Sequence, residues 1–398
     1  MTDRAENAPP TVLQVIPAMK SGGAELGALQ VAEALTRAGG RAFVMSEGGR
    51  MVAALERAGA THVTAPVATK NPARILANAL RIARFCRANG VQVIHARSRA
   101  PAWSCLLAAR LTGCAFVATY HSGYRAQNRL KNFYNGVMAR ADRVIAVSEW
   151  IAEDIRRHHA PPEGRIVVIH RAVDPERFDP ARIDPAARAR LRESWGVGPG
   201  TMAILLAGRI SRRKGQHLMV EAAARLRRDP GAPPFAMIFA GDDQGKTAYR
   251  DEVAARIRAL GLEDAVRFVG HLEDMPLAYA AADISVSAAT APEGYQRAML
   301  ESQAMGVPVA VSDIGPGVEV VRAPPRWPED QATGLNFRGN DVEDLTRALL
   351  ELMTMPPERR AAMGARASAW VRSEHTVGRL TAQTLEVYRQ VLAERGRR

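Results

Sequence analysis

Short apolar runs rich in β-branched residues alternate with longer stretches of helical periodicity along this chain. TVLQVI (11–16), RAFVMS (41–46), VQVIHA (91–96), AFVATY (115–120), RVIAVS (143–148) and RIVVIH (165–170) read as strands. A turn at Ser21-Gly22-Gly23 opens a helix from about Ala24 to Ala38. Continuous apolar strands separated by helices predict a parallel sheet covered on both faces. Segment 171–191, with three prolines and many charges, reads as a connection between domains. The alternation then restarts, with strands at 201–208, 235–241, 266–270, 284–287 and 308–312. Helices are expected near 215–228, 247–259, 274–282 and 296–305, followed by 341–352, 357–373 and 376–395. The expected fold is α/β: two doubly wound, Rossmann-like domains (1–175 and 176–375) facing a cleft, then a terminal helix in 376–398. In such sheets ligands bind beyond the carboxyl ends of the strands.

Composition fits this picture. The 398 residues are 47% apolar, enough for more than one core. The three cysteines, Cys86, Cys105 and Cys114, form no CxxC pair, which argues against a disulfide framework or a structural zinc site. The first ten residues carry acids and prolines where a secretion signal needs an apolar run, and no stretch is apolar enough to span a membrane. A cytoplasmic protein is expected, peripheral at most on the inner face of the cell membrane. Charge changes the picture more. The net charge is +13, and residues 57–141 hold thirteen basic residues and no acid. Without them the chain has 41 basic and 41 acidic residues. The asymmetry points to an anionic partner for the first domain.

The most specific pattern is EGYQRAMLE (293–301). A helix starting near Gln296 puts Glu301 on its second turn, so both carboxylates can line one side of a pocket. One can accept hydrogen bonds from sugar hydroxyls and the other from a ribose diol. The free N–H groups of Tyr295, Gln296, Arg297 and Ala298 suit a diphosphate between them. GRISRRKG (208–215) follows the strand ending at Ala207, so Arg209 and Lys214 emerge at the carboxyl end of the sheet. They can neutralise a departing nucleoside diphosphate, while Arg212 and Arg213 read as a solvated basic turn.

These motifs, with AMGVPV (304–309) and the Gly22-Gly23 loop, resemble the retaining glycosyltransferases of the GT-B fold in glycosyltransferase family four. The resemblance covers nearly the whole chain. It implies a nucleotide-sugar donor, with Glu293 on the sugar, Glu301 on the ribose, and Arg209 and Lys214 on the diphosphate. It implies retention of anomeric configuration, and a last helix that returns to the first domain. His121, after AFVATY, is similar to a histidine the family uses near the donor sugar. The resemblance thus makes Arg209, Lys214, Glu293 and His121 the catalytic groups. Gly22, Gly23, Gly294, Tyr295, Gln296, Arg297 and Glu301 are the donor-binding set. The family often has Glu-Gly-Phe-Gly where this chain has Glu293-Gly294-Tyr295-Gln296, so Gln296 adds a side chain near the sugar or phosphate.

His95 also ends a strand, where it either faces the acceptor or is hydrogen-bonded in place; His158 and His159 read as solvated. No Asp-x-Asp triplet bridges a diphosphate through a metal, and Asp242-Asp243 are adjacent acids that point apart, so metal-independent transfer without a cofactor is expected. Segment 122–140 interleaves Tyr124, Leu130, Phe133, Tyr134, Val137 and Met138 with Arg125, Arg129, Lys131 and Arg140. It reads equally as an anionic-membrane contact or a core face. Segment 72–88 reads as a core face. The function expected is transfer of a hexose-type sugar to an anionic, lipid-linked acceptor such as a lipopolysaccharide core. The alternatives are a nucleotide-sugar epimerase and a transferase acting on a soluble oligosaccharide. No nucleic-acid motif accompanies the charge.

Overall fold

The computed structural model describes residues 9–20, 22–124 and 128–396. Residues 1–8, where a secretion signal would begin, lie outside the described residues, as do Ser21 of the expected turn and Arg125 of the basic segment. The first run of elements is β1 (Thr11–Val15), α1 (Gly23–Arg37), β2 (Arg41–Ser46), α2 (Val52–Arg57), β3 (Thr61–Thr64), α3 (Pro72–Asn89), β4 (Val93–Ala96), α4 (Arg99–Thr112), β5 (Ala115–Tyr120), α5 (Arg129–Asn135), β6 (Arg143–Ala146), α6 (Glu149–His159) and β7 (Ile166–Val168). The second is α7 (Pro185–Ser194), β8 (Met202–Ala207), α8 (Gln216–Leu226), β9 (Phe235–Ala240), α9 (Thr247–Ala259), β10 (Val266–Gly270), α10 (Met275–Ala281), β11 (Ile284–Ser287), α11 (Arg297–Ala304), β12 (Val309–Ser312), β13 (Gly334–Phe337), α12 (Val342–Thr354) and α13 (Pro357–Glu374), before the terminal α14 (Val377–Gly396).

These elements divide into two compact units. Unit 1 runs to Arg171 and takes back Val377 onward; unit 2 is Ala172–Thr376. The first boundary falls four residues before the expected 175/176. Unit 1 has a seven-stranded sheet in the order β3-β2-β1-β4-β5-β6-β7, and unit 2 a six-stranded sheet in the order β10-β9-β8-β11-β12-β13. Every strand pair is parallel. All six residues of β5 are buried, as a parallel strand covered on both faces requires. Strand order reverses between β1 and β4, and again between β8 and β11. The loops leaving these strands diverge, and such a crevice is where α/β sheets bind ligands.

Three elements depart from the alternation. β3 and β13 are short edge strands, one with exposed ends and one beginning on Gly334. α7 lies inside the expected connection. Its first residue is Pro185, and Asp184 caps it by accepting from the N–H groups of Ala186 and Ala187. Proline at the first helical position starts a helix rather than breaking one.

α14 completes the core of unit 1: Val387, Tyr388 and Val391 pack with α1 and sheet residues such as Val12, Val93 and Val117. His95 is wholly buried here. Its Nδ1 is 2.6 Å from the Tyr388 hydroxyl and its Nε2 is 2.7 Å from Thr119 Oγ1. It therefore fastens α14 to the sheet and does not face an acceptor. Tyr388→Phe should leave one imidazole nitrogen buried and unpaired, at a cost of about 1–3 kcal/mol. Thermal unfolding should show a lower midpoint for this variant, with the secondary structure unchanged.

Candidate functional site

The site in unit 2 begins where β8 ends. Gly208 leads into Arg209, Ile210 and Ser211, then a 3-10 turn (Arg212–Lys214) closed by Gly215. Gly215 has φ 75°, and a Cβ there would sit 1.9 Å from the Ala288 carbonyl oxygen, so no other residue fits this approach to the β11 loop. The fully buried Gln216 holds the loop from below by donating to the Arg209 carbonyl at 3.0 Å. Three bonds staple it to the loop after β11: Thr290 N–H to Arg213 O (3.0 Å), Thr290 Oγ1 to Arg212 O (3.0 Å), and the Arg213 guanidinium to Pro292 O. Arg213 is exposed, as expected of a solvated basic turn, and its guanidinium also ties the turn to this carbonyl. Arg212 is exposed and turns to Glu252 and the Tyr249 ring.

Lys214 then lies against Glu293, with Nζ 2.7 Å from Oε2 and the side chains 24% and 13% exposed. Arg209 is exposed at the same strand end, 3.3 Å from Gln244 Oε1. Glu293, Gly294, Tyr295 and Gln296 lead directly into α11, which has no side-chain cap, so its first N–H groups remain available. Glu301, on the second turn, accepts from Arg297 at 2.7 Å and from the Tyr279 hydroxyl at 3.2 Å. Burial raises its carboxyl above the usual range, and Arg297 and Tyr279 offset this only in part. The Tyr295 side chain turns into the core, where its hydroxyl donates to the Glu319 carbonyl at 2.8 Å. Only its backbone remains on the loop that leads into α11. Gln296 is 6% exposed, and both ends of its amide are shielded and without a partner. It lines a cavity of about 50 Å³ with Lys214, Arg297, Ala207 and Ser287. Two buried amide ends without a protein partner are costly, which fits a group made to meet a ligand.

Gly22, Gly23 and His121 belong to unit 1. Gly22 precedes α1 with φ 134°, and a Cβ there would sit 2.6 Å from Glu25 Oε2, so the Glu25 carboxylate folds back over the helix start. Arg97, one residue past β4, is 5% exposed. Its Nη1 donates to Gln14 Oε1 at 3.0 Å, while Gln14 Nε2 donates to Ala28 O at 2.9 Å. Burial lowers the Arg97 pKa to about 10. Glu25 is pushed up by burial, partly offset by its own N–H, Arg171 and Arg97. Gln14, Glu25 and Arg171 do not stand out in the sequence; the available signals are a glutamine inside an apolar strand and an acid in a helix first turn. The exposed apolar residues of segment 122–140 are Leu130 (84%) and Phe133 (58%), whereas Val137 and Met138 are core. In segment 72–88, Leu76 and Leu80 are exposed instead of facing the core.

The Glycosyltransferase Family 4 model matches residues 21–177, and the Glycosyl transferases group 1 model matches residues 187–370. A glycosyltransferase from Rickettsia africae is 30% identical with a TM-score of 0.87, over 96% of this chain and 98% of that one. The chain belongs to glycosyltransferase family 4. Its two parallel-sheet units are those of the GT-B fold. The Anabaena protein HepE, solved with UDP, shares that fold at 22% identity and a TM-score of 0.81, over 95% of this chain and 99% of its own. The D-inositol 3-phosphate glycosyltransferase of Actinosynnema mirum is 30% identical over 264 residues. That match covers 64% of this chain and 60% of the relative's length.

His121 has a defined state in this family 4 protein. Arg171 Nη2 lies 3.2 Å from its Nδ1, and a guanidinium can only donate, so Nδ1 accepts and the proton sits on Nε2. That Nε2–H is shielded and has no partner. Burial first, then Arg171, Arg97 and His95, hold the imidazole well below its usual 6.5. His95 is held down in the same way by burial and then Arg97. Below pH 6.5 the unfolded chain binds more protons than the folded one, so stability falls as pH drops through that range. Thermal midpoints measured from about pH 7.5 to about pH 5.5 should decline. The decline should be shallower in His121→Asn, and equal slopes in the two proteins would contradict the neutral assignment.

Proposed function

We propose that this protein is a retaining glycosyltransferase that moves a hexose-type sugar from a nucleoside-diphosphate sugar to an anionic, lipid-linked acceptor of the lipopolysaccharide-core kind. The observation that carries the donor half is the Lys214–Glu293 pair beside the uncapped start of α11. A cation, a carboxylate and free N–H groups converge there, which is what a sugar diphosphate requires. In this reading Arg209 and Lys214 hold the diphosphate, Glu293 accepts from sugar hydroxyls, and Glu301 accepts from the ribose. The bond between the anomeric carbon and the diphosphate oxygen breaks with its electron pair left on the diphosphate. The acceptor oxygen bonds to that carbon on the same face, and its proton passes to the departing diphosphate. Lys214 and Arg209 stabilise the growing charge, so no resident metal or cofactor is invoked.

The acceptor half rests on charge. The acid-free stretch lies wholly in unit 1, and Leu130 and Phe133 stand out from it beside Arg129 and Arg140. No helix among the described residues is long and apolar enough to cross a membrane, so the contact proposed is peripheral, on the cytoplasmic face. The shielded His121 Nε2–H and the buried Arg97 favour a second reading, a soluble phosphorylated acceptor. The similarity to the D-inositol 3-phosphate glycosyltransferase of Actinosynnema mirum supports it.

A thermal-shift panel of UDP, GDP and ADP should single out one base, since a bound nucleotide raises the midpoint. With the matching sugar nucleotide, Glu293→Ala and Lys214→Ala should each lower turnover by roughly 10²–10³-fold. Near-normal turnover in both would defeat the donor assignment. Product analysis with lipid-linked and soluble phosphorylated acceptors separates the two readings, and an isomerised nucleotide-sugar would replace both.

A further inference from the structure

Unit 1 holds a second cavity, at the edge of the sheet opposite Gly22, Arg97 and His121. Those residues follow the carboxyl ends of β1, β4 and β5. The second cavity is built from three segments that lead into the amino ends of β5, β6 and β7: the end of α4, the stretch from α5 to Arg140, and the turn after α6. Its volume is about 460 Å³, within the range of pockets for small organic ligands.

The lining is strongly basic. Arg110, Arg140 and Arg165 contribute guanidinium groups, and His158 and His159 add imidazoles. No carboxylate lines it. Asp154 lies behind His158, whose Nδ1 is 2.8 Å from the Asp154 carbonyl oxygen and 3.2 Å from its carboxylate. Glu163 is exposed in the adjoining turn and outside the lining. Among the described residues none of the three arginines is in an ion pair. Arg140 is held flat, its guanidinium carbon 4.3 Å from the centre of the Phe133 ring and 5.1 Å from that of Trp103. Stacking occupies the faces of a guanidinium and leaves its in-plane N–H groups for an anion. The walls are tied: Asn132 on α5 donates to the His158 carbonyl at 3.1 Å, and Arg165 donates to Ala141 O at 3.3 Å. Phe133, Ala139, Pro161 and Pro162 provide an apolar wall beside the charge.

We propose that this cavity is a second anion site, separate from the reaction site, that takes a phosphomonoester attached to a small organic group. Three guanidinium groups suit a phosphate with two negative charges, each able to bond it bidentately. The volume beyond a phosphate, next to Phe133 and the prolines, takes the organic part. A soluble phosphorylated metabolite and the headgroup of a phosphomonoester lipid share this chemistry. The site does not depend on the donor assignment in unit 2.

The test uses the full chain. Calorimetric titration with glycerol 3-phosphate is compared with sedimentation on phosphatidylcholine vesicles containing either phosphatidic acid or phosphatidylglycerol. Hydrogen–deuterium exchange of the unmodified protein, with and without each probe, locates the binding. Binding should protect segments 132–140 and 158–165 and weaken at least roughly tenfold in Arg110→Gln/Arg165→Gln, while Lys214→Ala binds as before. Saturable glycerol 3-phosphate binding assigns the soluble source. Retention on phosphatidic acid vesicles alone assigns the lipid source. Absence of binding to every probe, or binding that leaves both segments unprotected, overturns the proposal. The exchange result decides even if the double variant fails to fold.

Discussion

The candidate site of unit 2 is organised around one ion pair that joins two diverging loops. β8 and β11 are neighbours, and the connections leaving them go to opposite sides. Lys214 and Glu293 come from those two connections and meet at 2.7 Å. Both side chains are partly buried, and each is the other's ion-pair partner. The loops that carry them are fixed by features with no chemistry of their own: the glycine against Ala288, the buried Gln216 and the Thr290 staple. A ligand that separates the pair must offer an anion to the lysine and hydroxyls to the carboxylate together.

Most of the architecture is legible in the hydrophobic pattern, because strands buried on both faces cannot hide. β5 and β8 are continuous apolar runs, and both appear in the sequence within a residue of their true ends. β3, β13 and α7 escape because each violates the rule used to find it. β3 has exposed ends and β13 is a four-residue run that opens on glycine, so neither reads as an apolar strand, and the helix starts on a proline. The candidate site divides along the same line. Arg209, Lys214, Glu293 and Glu301 stand out as charges next to strand ends and a helix start. Which carboxylate is occupied, and by what, depends on residues distant in sequence: Glu301 on Tyr279, and Lys214 on Glu293 itself. Tyr295 shows the limit most clearly. Its position in the motif suggests a ligand contact, yet the hydroxyl is used by Glu319.

The acid-free stretch carries a related lesson. Counting charges treats all thirteen basic residues alike, but their environments differ. Arg97 is buried on Gln14. Arg99 bonds Asn135 and stacks on Tyr124, and Arg87 reaches the Leu111 carbonyl. Such arginines serve packing and satisfy backbone. Arg110 and Arg140 meet no carboxylate among the described residues, and they contribute to the cavity under α5. Ten of the thirteen are exposed and among the described residues only Arg97 is buried, so the positive charge is spread over the surface of unit 1.

The return of α14 gives unit 2 the character of an insertion. The chain leaves unit 1 after Arg171 and rejoins it at Val377, and Val173 pairs with Thr376 where the two passages meet. A ribosome releases the strands of unit 1 long before the helix that covers them. Until Tyr388 arrives, His95 has an open nitrogen, and the faces that Val387 and Val391 will cover are wet. Unit 2, contiguous in sequence, has no such wait. The half of the protein made first is thus the half whose core is closed by the segment made last.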